Sequence, residues 1–115
     1  MKNFNIENAL EQTAGDRNLL MEVLKFTMED FPEVLNDIDV SFSSGNYPEL
    51  SRHAHKAKGF AGACGAEKLY MASLDLEYAA KDKKENCGEL IKTLRSVFDA
   101  FIKDPDVIKI INNTE

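Results

Sequence analysis

Apolar residues along this chain recur every three or four positions, the spacing that lines one side of an α-helix. Met21, Leu24, Met28, Phe31, Leu35, Ile38 and Phe42 form the longest such stripe. Strand-like alternation appears over no useful length. The punctuation predicts a short helix over about 6–14, ended by Gly15, and a long one over roughly 17–43, capped by Asp16. Pro32 falls inside the long helix and is expected to kink it, because proline lacks the backbone donor. Ser43-Ser44-Gly45-Asn46 reads as a turn, and Asn46 with Glu49 three residues on resembles a capping box. A third helix, about 47–63, turns Leu50, Ala54, Ala57, Ala61 and Cys64 inward, and Gly65 breaks it. A fourth, about 66–83, turns Leu69, Ala72, Leu76 and Ala79 inward. A fifth, about 88–103, turns Ile91, Leu94, Phe98 and Phe101 inward, and Asp104-Pro105 stops it. The stretch Val107 to Ile111 is apolar enough to dock on the rest, with no predicted place.

Long amphipathic helices joined by short loops pack as antiparallel neighbours. The expected fold is therefore all-α: an antiparallel up-down four-helix bundle with a short extra N-terminal helix. It forms one domain over residues 1–115, with a core about 5–103 and a short tail, 104–115. The start at Met1, a few residues before the first helix, is what a freestanding domain would have.

The charge balance narrows the function. Fourteen Lys and Arg against twenty Asp and Glu leave a net charge of −6. An acidic chain argues against a nucleic-acid binder held by phosphate contacts. No apolar run approaches the roughly 20 residues that span a bilayer, and no signal-peptide core opens the chain. A cytoplasmic monomer is expected. No Gly-rich phosphate loop is present, and 115 residues leave no room for a nucleotide-binding domain beside a second domain. Within this acidic background residues 50–66 carry no acid at all, but hold Arg52, Lys56, Lys58, His53 and His55. Such an island suits the handling of an anion, although a solvated helix face would show the same composition.

The two cysteines should stay apart. Cys64 and Cys87 are separated by the fourth helix, whose roughly 17 residues span about 25 Å. A disulfide needs Cα atoms within about 7 Å, so both thiols are expected free. A metal site is not expected either. His53 and His55 point about 200° apart on a helix and cannot share one ion.

A helical wheel at about 100° per residue separates the histidines. His55 falls about 150° from the centre of the buried arc, on the solvent side. His53 falls at or inside the edge of that arc, as a packed histidine bonded to a neighbour would. Gly59 and Gly62 lie one and two turns beyond His55 on its side of the wheel. Each interior glycine costs a helix about 1 kcal/mol relative to alanine. Two of them beside an exposed histidine clear a strip where another surface could reach the ring, unless they serve close packing on a neighbouring helix. Lys58 and Arg52 flank the strip, and their charge suits an anion at the ring nitrogen. A hairpin turning near residues 65–66 would bring positions around 76 opposite His55. Asp75, Glu77 and Glu67 are then the acids that could orient the ring, or plain surface acids.

Ala54-His55-Lys56-Ala57-Lys58-Gly59, followed by Gly65-Ala66 and Leu69, resembles the histidine-containing phosphotransfer (HPt) domain of bacterial-type multistep phosphorelays. The family pattern is Ala-His-x-Leu-Lys-Gly, a short gap, then Gly-Ala-x-x-Leu. The resemblance extends to Gly15-Asp16-Arg17, to Asp30-Phe31-Pro32-Glu33 and to the turn Gly45-Asn46-Tyr47, over roughly residues 5–103. Ala57 stands where leucine is usual, and Phe60 where a small residue often follows the glycine.

The resemblance implies that His55 takes a phosphoryl group from a receiver-domain phospho-aspartate and passes it to another receiver. The implied partners are response-regulator receivers or a hybrid sensor histidine kinase. With no acids from 50 to 66, Mg²⁺ and most transition-state stabilisation are expected from the receiver. The chain would be a phosphocarrier without an ATP site or cofactor of its own, with Lys58 and Arg52 offsetting the phosphoryl charge. Two alternatives remain. One is a helical partner-binding module without phosphoryl chemistry. The other is a kinase dimerisation domain, which lacks its ATP-binding partner here.

Overall fold

The computed structural model describes residues 1–112. Six helices follow in order: α1 (Ile6–Gln12), α2 (Arg17–Ser43), α3 (Tyr47–Ala63), α4 (Glu67–Lys81), α5 (Cys87–Ile102) and α6 (Pro105–Ile111). There is no strand among the described residues. Helices α2 to α5 form the bundle. α3 packs against α2 and α4, and α5 against α4 and α2, which closes the ring. The bundle is elongated, 45 × 20 × 19 Å.

α2 and α3 start at their caps. Asp16 accepts a hydrogen bond from Leu19 N at 3.1 Å, and Asn46 one from Glu49 N at 3.2 Å. Each satisfies a donor that the first turn leaves without a partner. α1 ends at Gln12, two residues earlier than expected, and Thr13 follows as its cap. Gly15 then takes a positive φ and donates its N–H to Leu10 O at 2.7 Å. α2 is continuous through Pro32.

The buried face of α2 differs from the expected stripe. Leu20, Leu24, Thr27, Phe31, Val34, Ile38 and Ser41 are buried, a heptad-like seam with Leu35 beside it. Met21 and Met28 are only half-buried, and Phe42 is exposed. The difference arises because the seam uses two hydroxyl residues. Thr27 Oγ1 donates to Val23 O at 2.9 Å, so its polarity is satisfied inside its own helix.

α3 buries Leu50, Ala54, Ala57 and Ala61, with Cys64 at its end. α4 packs on α3 and buries Ala72, Ser73, Ala79 and Ala80, and small side chains on both helices let the backbones approach closely. Phe31 stacks on Phe98 with ring centroids 4.5 Å apart, joining α2 to α5. Phe60 packs its ring on Phe26 and Phe31, at 5.8 and 6.3 Å.

The stretch expected as a tail holds α6. Pro105 both stops α5 and opens α6, because a first-turn proline gives up only a donor that has no helical partner. Asp104 caps the new helix through Asp106 N at 2.9 Å. Val107 and Ile110 are buried as α6 packs on α2 and α5. The rest of the tail, residues 113–115, lies outside the described part. No helix among the described residues is long and apolar enough to cross a membrane.

Cys64 and Cys87 are both free and buried. Burial pushes the Cys64 thiol up to about 11.

The N-terminal segment clamps the α3–α4 turn. Asn5 N donates to Gly65 O at 2.8 Å and Lys68 N to Lys2 O at 3.1 Å. Gly65 adopts φ +67°, and a Cβ there would lie 2.6 Å from Asn5 O. Gly65→Ala meets both the left-handed backbone penalty and a backbone clash. It is expected to lose about 2 kcal/mol or more in urea denaturation. Gly15→Ala, with open space around its Cβ, should lose less.

Candidate functional site

α3 presents His55 to solvent, with its side chain 65% exposed. The hairpin at Gly65 places α4 antiparallel beside it and brings Glu77 level with the ring. His55 Nδ1 lies 2.9 Å from Glu77 Oε2. A carboxylate only accepts, so Nδ1 carries the proton. In the neutral ring the other nitrogen, Nε2, then holds the free lone pair.

Glu77 is buried, at 4% exposure. A lone carboxylate there would be costly to ionise. Two ammonium groups offset that cost. Lys58 Nζ stands 2.9 Å from Oε1, an ion pair, and Lys81 Nζ stands 3.4 Å from Oε2. Burial pushes the Glu77 carboxyl up, but hydrogen bonds from Lys58 and His55 and the charge of Lys58 outweigh it. The net result is a carboxyl held below its ordinary 4.5. Glu77 raises Lys58 in return, mainly through their hydrogen bond.

Of the three acids considered for orienting the ring, Glu77 is the one that does so. Asp75 is exposed. Glu67 belongs to the N-terminal clamp, where it accepts from Lys2 N at 3.1 Å and Asn5 Nδ2 at 3.0 Å. Arg52 departs from expectation. Its guanidinium is held by Glu49 one turn back, at 2.7 Å, so its charge is spent there and not beside the ring. Lys58 is likewise engaged with Glu77, so it reaches the site through that carboxylate.

The glycines divide. A Cβ on Gly59 would meet nothing within 4 Å. Gly59 is thus open, as the strip requires. Gly62 is not, since its Cβ position lies 3.6 Å from the Tyr70 ring. Gly62 lies beside Tyr70 of α4, and the open strip is shorter than the wheel suggested. His53 is half-buried as expected. Its Nε2 lies 3.5 Å from Glu49 Oε2, and its Nδ1 is buried without a hydrogen-bond partner.

Sequence reasoning missed two parts of the site. One is Lys81, legible as the residue four beyond Glu77. The other is a groove of about 670 Å³ between α2 and α3, where His55 and Gly59 meet Leu19, Val23, Phe26 and Phe60. Leu19 and Phe26 are 43% and 56% exposed. Their signal was a second apolar stripe, Leu19-Val23-Phe26, running beside the core seam of α2. Among the described residues no group of three or more His, Cys, Asp or Glu is placed to hold a metal ion.

The family profile of the Hpt domain matches residues 22–103, which includes all of α3, α4 and α5. The chain belongs to the Hpt family. This places the HPt domain among phosphorelay histidine phosphotransfer modules. Its structure resembles that of the HPT domain from an Hpt sensor hybrid histidine kinase of Shewanella, with a TM-score of 0.74. The two are 22% identical over 98% of this chain and 97% of that one, a likeness of fold. Among curated proteins none matches the chain. The profile begins inside α2, later than the residue near 5 from which the resemblance was expected, whereas the structural likeness takes in α1.

Because the Glu77 carboxyl is held below 4.5, the stability it contributes is fully present above that pH. It is lost as pH falls through the folded-state value. Glu77→Gln should therefore flatten the loss of melting temperature below pH 4.5. At neutral pH it should cost about 1 kcal/mol, since two lysines lose their counter-charge.

Proposed function

We propose that His55 is the phosphoryl acceptor and donor of this HPt domain. The observation that carries this reading is an exposed imidazole whose Nδ1–H is fixed by a buried carboxylate at 2.9 Å. That arrangement leaves Nε2 as the nucleophile. Nε2 attacks the phosphorus of a receiver phospho-aspartate, the N–P bond forms, and the aspartyl O–P bond breaks to release a carboxylate. With Nδ1 protonated, the return step to a second receiver releases a neutral imidazole. Mg²⁺ and the stabilisation of the transferring group are assigned to the receiver. The chain acts as a monomeric phosphocarrier with no ATP site of its own.

The α2–α3 groove supports a receiver as the partner. The receiver's aspartate must come within bonding reach of Nε2, and the groove offers apolar contact area beside it. Lys58 offsets phosphoryl charge only in part, because it is paired with Glu77. Arg52 acts at a greater remove, through Glu49.

His55→Gln should lose phosphoryl acceptance from a phosphorylated receiver and keep its fold, with a stability change within about 0.5 kcal/mol. His53→Gln should retain transfer and melt lower. Acid-labile label on the His55→Gln chain would overturn the assignment. A parent chain that binds receivers and never takes label would be the partner-binding module instead.

Gly59→Gln tests access. The new side chain fits open space and should raise helix stability by up to about 1 kcal/mol. It should also hinder the receiver's approach, where misplacement of about 1 Å can cost roughly 100-fold in rate. Transfer from a receiver should slow far more than phosphorylation by a small donor. Transfer at the parent rate would sink the idea that the open strip is a docking surface.

A further inference from the structure

One hydrogen-bond partner and two ammonium groups converge on one carboxylate, and two of the three share an oxygen. His55 Nδ1 lies 2.9 Å from Glu77 Oε2, and Lys81 Nζ lies 3.4 Å from the same atom. Lys58 occupies Oε1 from the other side at 2.9 Å. Lys81 stands on α4 one turn beyond Glu77, and its ammonium is 5.9 Å from the centroid of the Tyr78 ring. Its side chain is 57% exposed, so its charge can be removed without opening the core.

We propose that Lys81 is a positioning residue that lengthens the life of the phosphohistidine by drawing the charge of Glu77 away from the His55 ring. The proposal rests on the phosphocarrier reading. In hydrolysis a water oxygen attacks the phosphorus and the Nε2–P bond breaks. Its electron pair returns to Nε2, and the proton lost by water goes to solvent. A ring that keeps its Nδ1 proton leaves as neutral imidazole. A ring without it must leave as imidazolate, a far poorer leaving group. The rate therefore follows the fraction of phosphorylated rings protonated at Nδ1. An undivided carboxylate at Nδ1 raises that fraction, and one shared with an ammonium raises it less. Other charged or titratable groups near the site are Lys56 on α3 and Glu22 on α2, which line the groove with His55, Lys58 on Glu77 Oε1, and Tyr78 beside Lys81 on α4. They are the same in every Lys81 variant, so the competition at Oε2 is what changes.

The test is to phosphorylate the parent chain, Lys81→Met, Lys81→Arg and Glu77→Gln with phosphoramidate. Loss of phosphohistidine is then followed by ³¹P NMR from about pH 5 to about pH 9, which brackets imidazole titration. Lys81→Met is expected to hydrolyse about threefold faster near neutral pH, with its rate profile moved up by about half a pH unit. Lys81→Arg should behave as the parent. Glu77→Gln should move the profile the other way and live longer. An unchanged lifetime in Lys81→Met would overturn the proposal. So would a shorter lifetime with an unmoved profile, since Lys81 would then act on the phosphoryl group directly. If phosphoramidate labels no histidine in the folded parent, the phosphocarrier reading falls, and this inference with it.

Discussion

A carboxylate taken out of water must find positive charge or protonate, and Glu77 is the buried acid among the described residues. Much of the geometry around α3 and α4 follows from meeting that demand. Lys58 and Lys81 must come from two different helices, so those helices must lie close and in fixed register. Closeness comes from the alanines of α3 and the small residues of α4. Register comes from Gly65, which lets the turn reverse under the N-terminal segment. The exposed imidazole is the third party. It is oriented by a group that is itself immobilised, which is how a surface side chain acquires a defined tautomer.

The bundle was readable in advance wherever one physical signal acted alone. The limits of α2 and α3 agree with the caps at Asp16 and Asn46, and the inward faces of α3 to α5 agree with their periodicity. Reading failed where signals competed. Thr27 looks polar, yet sits in the α2 seam because its hydroxyl bonds its own backbone. Pro105 is a stop for one helix and a start for another, and only packing on α2 and α5 decides that the second forms.

The site was legible in direction but not in pairing. A wheel gives the bearing of each side chain, and it correctly turned His55 outward and His53 inward. It says nothing about which charge a long side chain will seek. Arg52 bears toward the strip but ends on Glu49, and Lys58 bears toward the ring but ends on Glu77. Gly62 shared the bearing of Gly59 and differs only because Tyr70 of the next helix covers it. These are facts about neighbours, and a single helix viewed alone cannot supply them. The apolar residues Leu19 and Phe26 pose the reverse case. They exceed what the core seam can bury, and the surplus lies beside the phosphoryl-acceptor candidate.

The two thiols give the bundle an unintended property. Cys64 closes α3 at one end, and Cys87 opens α5 at the other, with the length of α4 between them. Neither can reach the other, and burial disfavours the thiolate that an oxidant or alkylating agent attacks. Each thiol is therefore a local gauge of breathing, one for each end of the rod. The rate at which a thiol-reactive dye labels Cys64 would register opening at the clamped turn, and labelling of Cys87 would register opening at the far pole. The molecule thus carries its own pair of probes for whether an event at His55 stiffens one end, both or neither.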